Sequence, residues 1–269
     1  MTSTSPVFIL SCERSGSTLL RYILDSHPDI CCPGELFLGT LTKDLCLTVS
    51  RTIGLAGGGS LEDQDKATRQ EVNRILTELL SKFARIRGKK ILCEKTPYNL
   101  KHLKEIEWIF PDARYICLYR DSLDVVQSCL DLPDKELIWW ALPYIVKYQR
   151  NYIAAFLESW AEKTAMMLDF ENRRPQTCRI LYETLIKDPK KALDPVFKFL
   201  GLDWDLSLLD RVFSVSHDQG GGDLKIGSTT KIEKDRVGKG AFIGPELLAQ
   251  IPEDLRQTQI ALSRRLGYG

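Results

Sequence analysis

Short, unbroken apolar runs recur along this chain, and each passes directly into a stretch with helical spacing. Pro6–Ser11 (PVFILS) runs into a Gly/Ser turn and then into Leu19, Leu20, Ile23 and Leu24. Lys90–Glu94 precedes a helical pattern over Tyr98–Phe110, and Arg114–Tyr119 precedes Asp121–Leu130, whose acidic start suits a helix N-terminus. Thr177–Tyr182 is the fourth run, with Pro189–Leu200 after it. Runs of this length without polar alternation fit strands covered on both faces, as parallel sheets are. Strands alternating with helices predict βαβ units and a parallel sheet with helices on both sides.

Two inserts lengthen the pattern. Asp65–Arg87 sets Val72, Ile75, Leu76, Leu79, Leu80 and Phe83 on one helical stripe, and Leu137–Leu168 reads as a helical hairpin or a helix broken near Pro143. Gly54–Gly59 and Gly220–Gly222 read as surface loops. With no internal repeat and no clean linker, residues 1–269 are expected to form a single α/β domain. The chain is 43% hydrophobic and 27% charged, enough apolar material for a sizeable core. Lys plus Arg is 37 against 36 for Asp plus Glu, so the basic excess of a phosphate-neutralising nucleic-acid binder is missing. A local basic pocket for a small anion stays open. None of the eight cysteines is spaced as C-x-x-C, which removes zinc-ribbon and thioredoxin motifs. Cys12, Cys93, Cys117 and Cys178 lie in or beside apolar runs, as reduced cysteines acting as small hydrophobes do. Met1–Pro6 has no basic region leading into an apolar stretch, and the longest apolar candidate, Ile138–Val146, falls short of the ~20 residues of a membrane helix. The expectation is a soluble, cytoplasmic protein with neither nucleic-acid nor membrane partners.

The first strand ends in Glu13-Arg14-Ser15-Gly16-Ser17-Thr18 and opens directly into a helix. A glycine turn, successive backbone N–H groups, a helix N-terminus and a cationic side chain together suit a phosphate. The P-loop lysine is missing, and with it the Ser/Thr that binds magnesium in that motif. The third strand ends at Arg120, at the carboxyl edge where α/β sheets bind ligands, and Ser128 lies two helical turns further on. Read singly, these residues also fit a structural helix cap, an Arg120 pairing with Asp121 or Asp124, and a surface serine.

Together the segments resemble the sulfotransferases that use 3′-phosphoadenosine 5′-phosphosulfate (PAPS). Glu13–Leu20 is similar to their phosphosulfate loop, and Arg120-x-x-x-Asp124-x-x-x-Ser128 to their 3′-phosphate motif. Leu181-Tyr182-Glu183-x-Leu185, with Asp188-Pro189 after it, is similar to the segment whose tyrosine lies by the adenine. Arg14–Leu19, Leu24–Pro28 and Glu35, together with Gly201–Trp204, most resemble the bacterial and tyrosylprotein branch. The chain departs from the pattern at Glu13, where the family usually has proline; no ligand group is lost by it.

The resemblance implies a P-loop NTPase-like three-layer α/β sandwich with a central parallel sheet. Helical inserts at about 36–88 and 134–170 would form the acceptor side. It implies PAPS as donor, adenosine 3′,5′-bisphosphate as product, and no required metal. Arg14, Ser15, Gly16, Ser17 and Thr18 would hold the phosphosulfate, Arg120 and Ser128 the 3′-phosphate, and Tyr182 the adenine. Lys95 would stabilise charge on the bridging oxygen, and Ser228 would contact the sulfuryl group, with Thr229 or Thr230 as alternatives. Lys239, in Arg236–Gly240, would close over the 3′-phosphate, although a basic surface turn fits equally. The acceptor would be a hydroxyl on a small molecule, a carrier-bound intermediate or a peptide tyrosine. A general base must take its proton, and Glu35 is the first candidate and His27 the second. A nucleotide-dependent kinase and a non-catalytic nucleotide-binding scaffold are the competing readings.

Overall fold

A computed structural model of the protein describes residues 5–57, 59–135, 138–218 and 229–268. In chain order the elements are β1 (Val7–Ser11), α1 (Ser17–Asp25), β2 (Ile30–Cys31), α2 (Leu38–Leu55), α3 (Leu61–Ile86), β3 (Ile91–Glu94) and α4 (Leu103–Ile109). There follow β4 (Arg114–Tyr119), α5 (Ser122–Leu130), α6 (Leu142–Lys147), α7 (Tyr152–Arg173), β5 (Thr177–Leu181), α8 (Tyr182–Lys187) and α9 (Pro189–Leu200). After these come α10 (Ser207–Arg211), α11 (Pro245–Leu248) and α12 (Glu253–Leu266). The five strands make one central parallel sheet in the order β2-β3-β1-β4-β5, flanked by helices.

Two compact units share the chain. One takes the described residues of Met1–Leu10, Thr18–Ile116 and Ser207–Gly222; the other takes Ser11–Ser17, Cys117–Leu206 and Asp223–Gly269. In the first unit β3 pairs with β1 at Val7↔Cys93 and Phe8↔Glu94, and with β2 at Ile30↔Ile91 and Cys31↔Leu92. Val7, Phe8, Ile9 and Leu10 are wholly buried, which is why their segment carries no polar alternation. Helix α3 starts four residues before the expected Asp65, because Ser60 and Asp63 close a capping box. It buries Val72, Leu76, Leu80 and Ala84 and leaves Leu79 exposed, a narrower stripe than the sequence suggests. The helix expected over Tyr98–Phe110 begins as a 3₁₀ turn at Pro97–His102 and becomes α4.

In the second unit the insert is two helices, and Pro143 does not break either: it lies in the first turn of α6, where its missing N–H costs nothing. The break is at Gln149 and Arg150, both left-handed, after which the Asn151 side chain accepts from Ala154 N–H and caps α7. Tyr182 opens α8 rather than closing β5. Gly220–Gly222 lie outside the described residues. Among the described residues no helix is long and apolar enough to cross a membrane.

Candidate active site

The segment leaving β1 turns through Ser15 N–H donating to Cys12 O at 3.3 Å and enters α1 at Ser17. Arg14 (φ 63°) and Gly16 (φ 89°) are left-handed on either side of Ser15. Alternating handedness turns successive N–H groups toward one side, the backbone geometry of an anion nest. Gly16 is needed twice: its φ suits glycine, and a Cβ there would come within 2.3 Å of the Tyr182 ring. Ser15 and Ser17 are buried in the turn, and Thr18 in the first turn of α1.

Three sequence-remote segments meet at this loop within the second unit. Arg14 Nε donates to Ser128 Oγ at 3.2 Å. Arg120 Nη1 donates to Arg14 O at 2.9 Å and Nη2 to Arg236 O at 2.6 Å, while its guanidinium lies 4.4 Å from the Tyr182 ring centroid. Arg120 Nε is buried with no hydrogen-bond partner among the described residues. Of the two aspartates, Asp124 does pair with Arg120, at the long end of ion-pair range, while the backbone carbonyls hold the guanidinium more closely. Asp121 caps α5 through Leu123 and Asp124 N–H, and Asp124 stands 4.0 Å from the guanidinium. The Asp124 carboxylate also accepts from Gly238 N–H at 2.8 Å and Gly240 N–H at 2.7 Å, pinning the turn that carries Lys239. Lys239 itself is partly exposed, 3.7 Å from Asp235. Glu13 forms a buried ion pair with Lys163 of α7, which also donates to Ser159 Oγ at 3.0 Å and lies 5.0 Å from the Trp140 ring centroid. Ser228 lies outside the described residues; Thr229 is half-buried and Thr230 exposed.

The first unit holds the other candidates. Lys95 Nζ donates to Glu35 Oε1 at 2.5 Å, with the lysine side chain 2% and the glutamate 13% exposed. His27 Nδ1 accepts from Asp29 N–H at 3.1 Å, within the turn before β2. Two features went unread in the sequence. Glu94 is wholly buried beside the pair and accepts from Leu36 N–H, Thr96 and Asn99; burial pushes its carboxyl up, and these hydrogen bonds work against that. A charged residue closing an apolar strand was the available signal. His217 joins Asp25 at 2.7 Å and Val212 O at 2.8 Å and stacks on Tyr22 at 4.0 Å, contacts that no local spacing announces. Among the described residues no group of His, Cys, Asp and Glu side chains gathers as a metal site.

A parallel α/β sheet whose first strand feeds a left-handed, arginine-bearing turn into a helix defines a protein built to hold a phosphate-type anion. The model of the sulfotransferase family matches residues 6–206, and the chain belongs to that family. It is therefore a sulfotransferase rather than a kinase or a non-catalytic scaffold. It is 24% identical over 283 residues to protein-tyrosine sulfotransferase A of Caenorhabditis elegans, covering 98% of this chain and 68% of that one. Among solved structures, the sulfotransferase domain of the Synechococcus PCC 7002 olefin synthase is 25% identical, with a TM-score of 0.70 and coverage of 99% and 95%. The sulfotransferase domain from the curacin biosynthetic pathway shares the fold at 21% identity, with a TM-score of 0.72 and coverage of 98% of both chains.

Proposed function

We propose that the enzyme moves a sulfuryl group from PAPS to a hydroxyl acceptor by in-line displacement, with Glu35 as general base. The observation that carries the donor assignment is the meeting of Arg14, Ser128 and Arg120 around a turn of alternating handedness. A buried guanidinium nitrogen with no partner among the described residues, at Arg120 Nε, fits an anionic ligand. PAPS, when bound, supplies a sulfuryl group already activated by its link to phosphate. Arg14 and the loop N–H groups bind that end, Arg120, Ser128 and Lys239 the 3′-phosphate, and Tyr182 the base. Ser228 is the first candidate for contact with the sulfuryl group, with Thr229 and Thr230 as alternatives.

Positioning and charge stabilisation supply most of the catalysis in such a transfer. Lys95 is one donor of positive charge for the bridging oxygen, and Glu35 takes the acceptor proton. Phe37 and Leu41, 36% and 38% exposed just beyond Glu35, offer the acceptor an apolar approach. The same chemistry serves a tyrosine hydroxyl, a small molecule or a carrier-bound alcohol.

Thermal shift with adenosine 3′,5′-bisphosphate, AMP and ATP–Mg²⁺, followed by transfer from ³⁵S-labelled PAPS, tests the reading. Stabilisation by the bisphosphate above the other two, and labelled acceptor, are expected. Preference for ATP–Mg²⁺, or no transfer to any hydroxyl, would overturn it.

A further inference from the structure

Glu35 belongs to no helix or strand; it stands between β2 and α2, on a segment with no ladder of its own. What fixes it comes from the end of β3. Leu36 N–H donates to Glu94 Oε1 at 3.1 Å, Phe37 N–H to Thr96 Oγ1 at 3.2 Å, and Gly39 N–H to Asn99 Oδ1 at 2.9 Å. The acceptors are themselves oriented by one carboxylate. Thr96 Oγ1 donates to Glu94 Oε1 at 2.5 Å, and Asn99 Nδ2 donates to Glu94 Oε2. Phe37, the N-cap residue of α2, is left-handed (φ 51°, ψ 40°) and offers no side-chain cap, so Asn99 caps that helix from another element. The approach is close enough that a Cβ on Gly39 would lie 2.8 Å from Asn99 Oδ1.

Glu94, Thr96 and Asn99 are each no more than 1% exposed, and burying a carboxylate is costly unless its oxygens are bonded. An amide could not replace it. Both oxygens accept, so the NH₂ of a glutamine would face another donor, either Asn99 Nδ2 or the Leu36 N–H and Thr96 hydroxyl pair.

We propose that Glu94, through Thr96 and Asn99, is a positioning residue that grips the backbone of residues 36–39 and thereby sets the Glu35 carboxylate against Lys95. It touches neither donor nor acceptor. The proposal rests on Glu35 being the base, so its test measures Glu35→Gln in parallel.

The experiment compares Glu94→Gln, Thr96→Val, Thr96→Ser, Glu35→Gln and the Glu35→Gln/Glu94→Gln double variant, each with PAPS and two acceptors. One acceptor is a tyrosine peptide, with a phenol pKa of about 10; the other is p-nitrophenol, largely ionised near neutrality. Small misplacement of a catalytic group can cost about a hundredfold. Glu94→Gln should therefore lower kcat on the peptide by about ten- to a hundredfold, and by much less on p-nitrophenol, with KM for PAPS nearly unchanged. In the Glu35→Gln background, Glu94→Gln should add little further loss. Thr96→Val should act in the same direction and Thr96→Ser should restore most activity, so the proposal stays testable if Glu94→Gln does not fold. A slow Glu35→Gln beside fully active Glu94→Gln and Thr96→Val would overturn the clamp and leave the base standing. Equal losses on both acceptors, additive with Glu35→Gln, would reduce the clamp to a fold support. A fully active Glu35→Gln would overturn the base and the clamp with it.

Discussion

Arg14 is a non-glycine residue held left-handed, a conformation that costs of order 1–3 kcal/mol and persists only where its surroundings over-determine it. Here Ser128 takes its side chain and Arg120 its carbonyl. Arg120 consequently does two things, and its removal is a poor probe of ligand binding. Arg120→Ala would release the Arg14 and Arg236 carbonyls together, weakening every nucleotide. Ser128→Ala is cleaner, because it leaves both of those bonds in place. A hydrogen bond to a charged group contributes about 1.5–3 kcal/mol, so adenosine 3′,5′-bisphosphate should bind about tenfold or more weakly to Ser128→Ala. AMP affinity and melting temperature should change little. Calorimetric titration decides this; equal losses for both ligands would make Ser128 only a prop for Arg14. At Lys95, Lys95→Ala should cut kcat by about 10²–10³ with donor affinity less affected. Unchanged turnover would remove it from the chemistry.

At the scale of elements, the loop is tied to α7 by the Glu13–Lys163 pair, with the two side chains 11% and 7% exposed. Position 13 of the loop thus carries a largely buried charge. Lys163→Met strands the carboxylate, and breaking a buried pair from one side costs about 3–5 kcal/mol. Replacing both partners by apolar groups is often neutral, so Glu13→Leu with Lys163→Met should recover most of the loss in urea unfolding. If Lys163→Met alone unfolds at the wild-type midpoint, the pair contributes nothing to stability. Neither residue's partner was legible, since 150 positions separate them. β1, β3 and β4 could be read because they are buried along nearly their whole length and keep unbroken apolar runs. β2 has only two residues and leaves no pattern, and α2 buries little beyond Leu38, Gly39 and Thr42 while Leu47 and Leu55 face outward. In α12 the buried Leu255, Leu262 and Leu266 are too sparse among charged neighbours to make a stripe. The family resemblance was legible because it is carried by side-chain type at short spacings. The clamp at Glu94, Thr96 and Asn99 was not, because it acts on backbone N–H groups of a distant segment.

Across the whole molecule, burial governs how the titratable groups behave. Six of the eight cysteines are buried and two are half-buried; burial pushes Cys31, Cys46 and Cys178 up to about 11 and Cys129 up to about 12. Native protein at about pH 7.5 should therefore resist iodoacetamide, whereas urea-unfolded protein should be labelled at all eight, by mass spectrometry, because the thiolate is the reactive form. Rapid labelling of the native chain would contradict this. Asp25 behaves in the opposite way. Burial alone would raise its carboxyl, but hydrogen bonds from His217 and Cys32 N–H, with the Lys89 charge nearby, outweigh it and hold the carboxyl below its ordinary value. A carboxyl lowered in the folded state stabilises the fold at every pH above its unfolded pKa of about 3.9, and that contribution fades as pH falls through the lower folded value. The group joins α1 to a segment 192 residues away, which Arg21 and Arg87 also hold through Asp218. Asp25→Asn should therefore be less stable than wild type at about pH 6, and the gap should close as pH drops below about 4. Urea midpoints measured at intervals between about pH 6 and pH 2.5 supply the test, since midpoints compare stability at equal slope. A gap constant across that range would show that the Asp25 charge plays no part in holding the segment; a gap that widens toward acid would reverse the sign argued here.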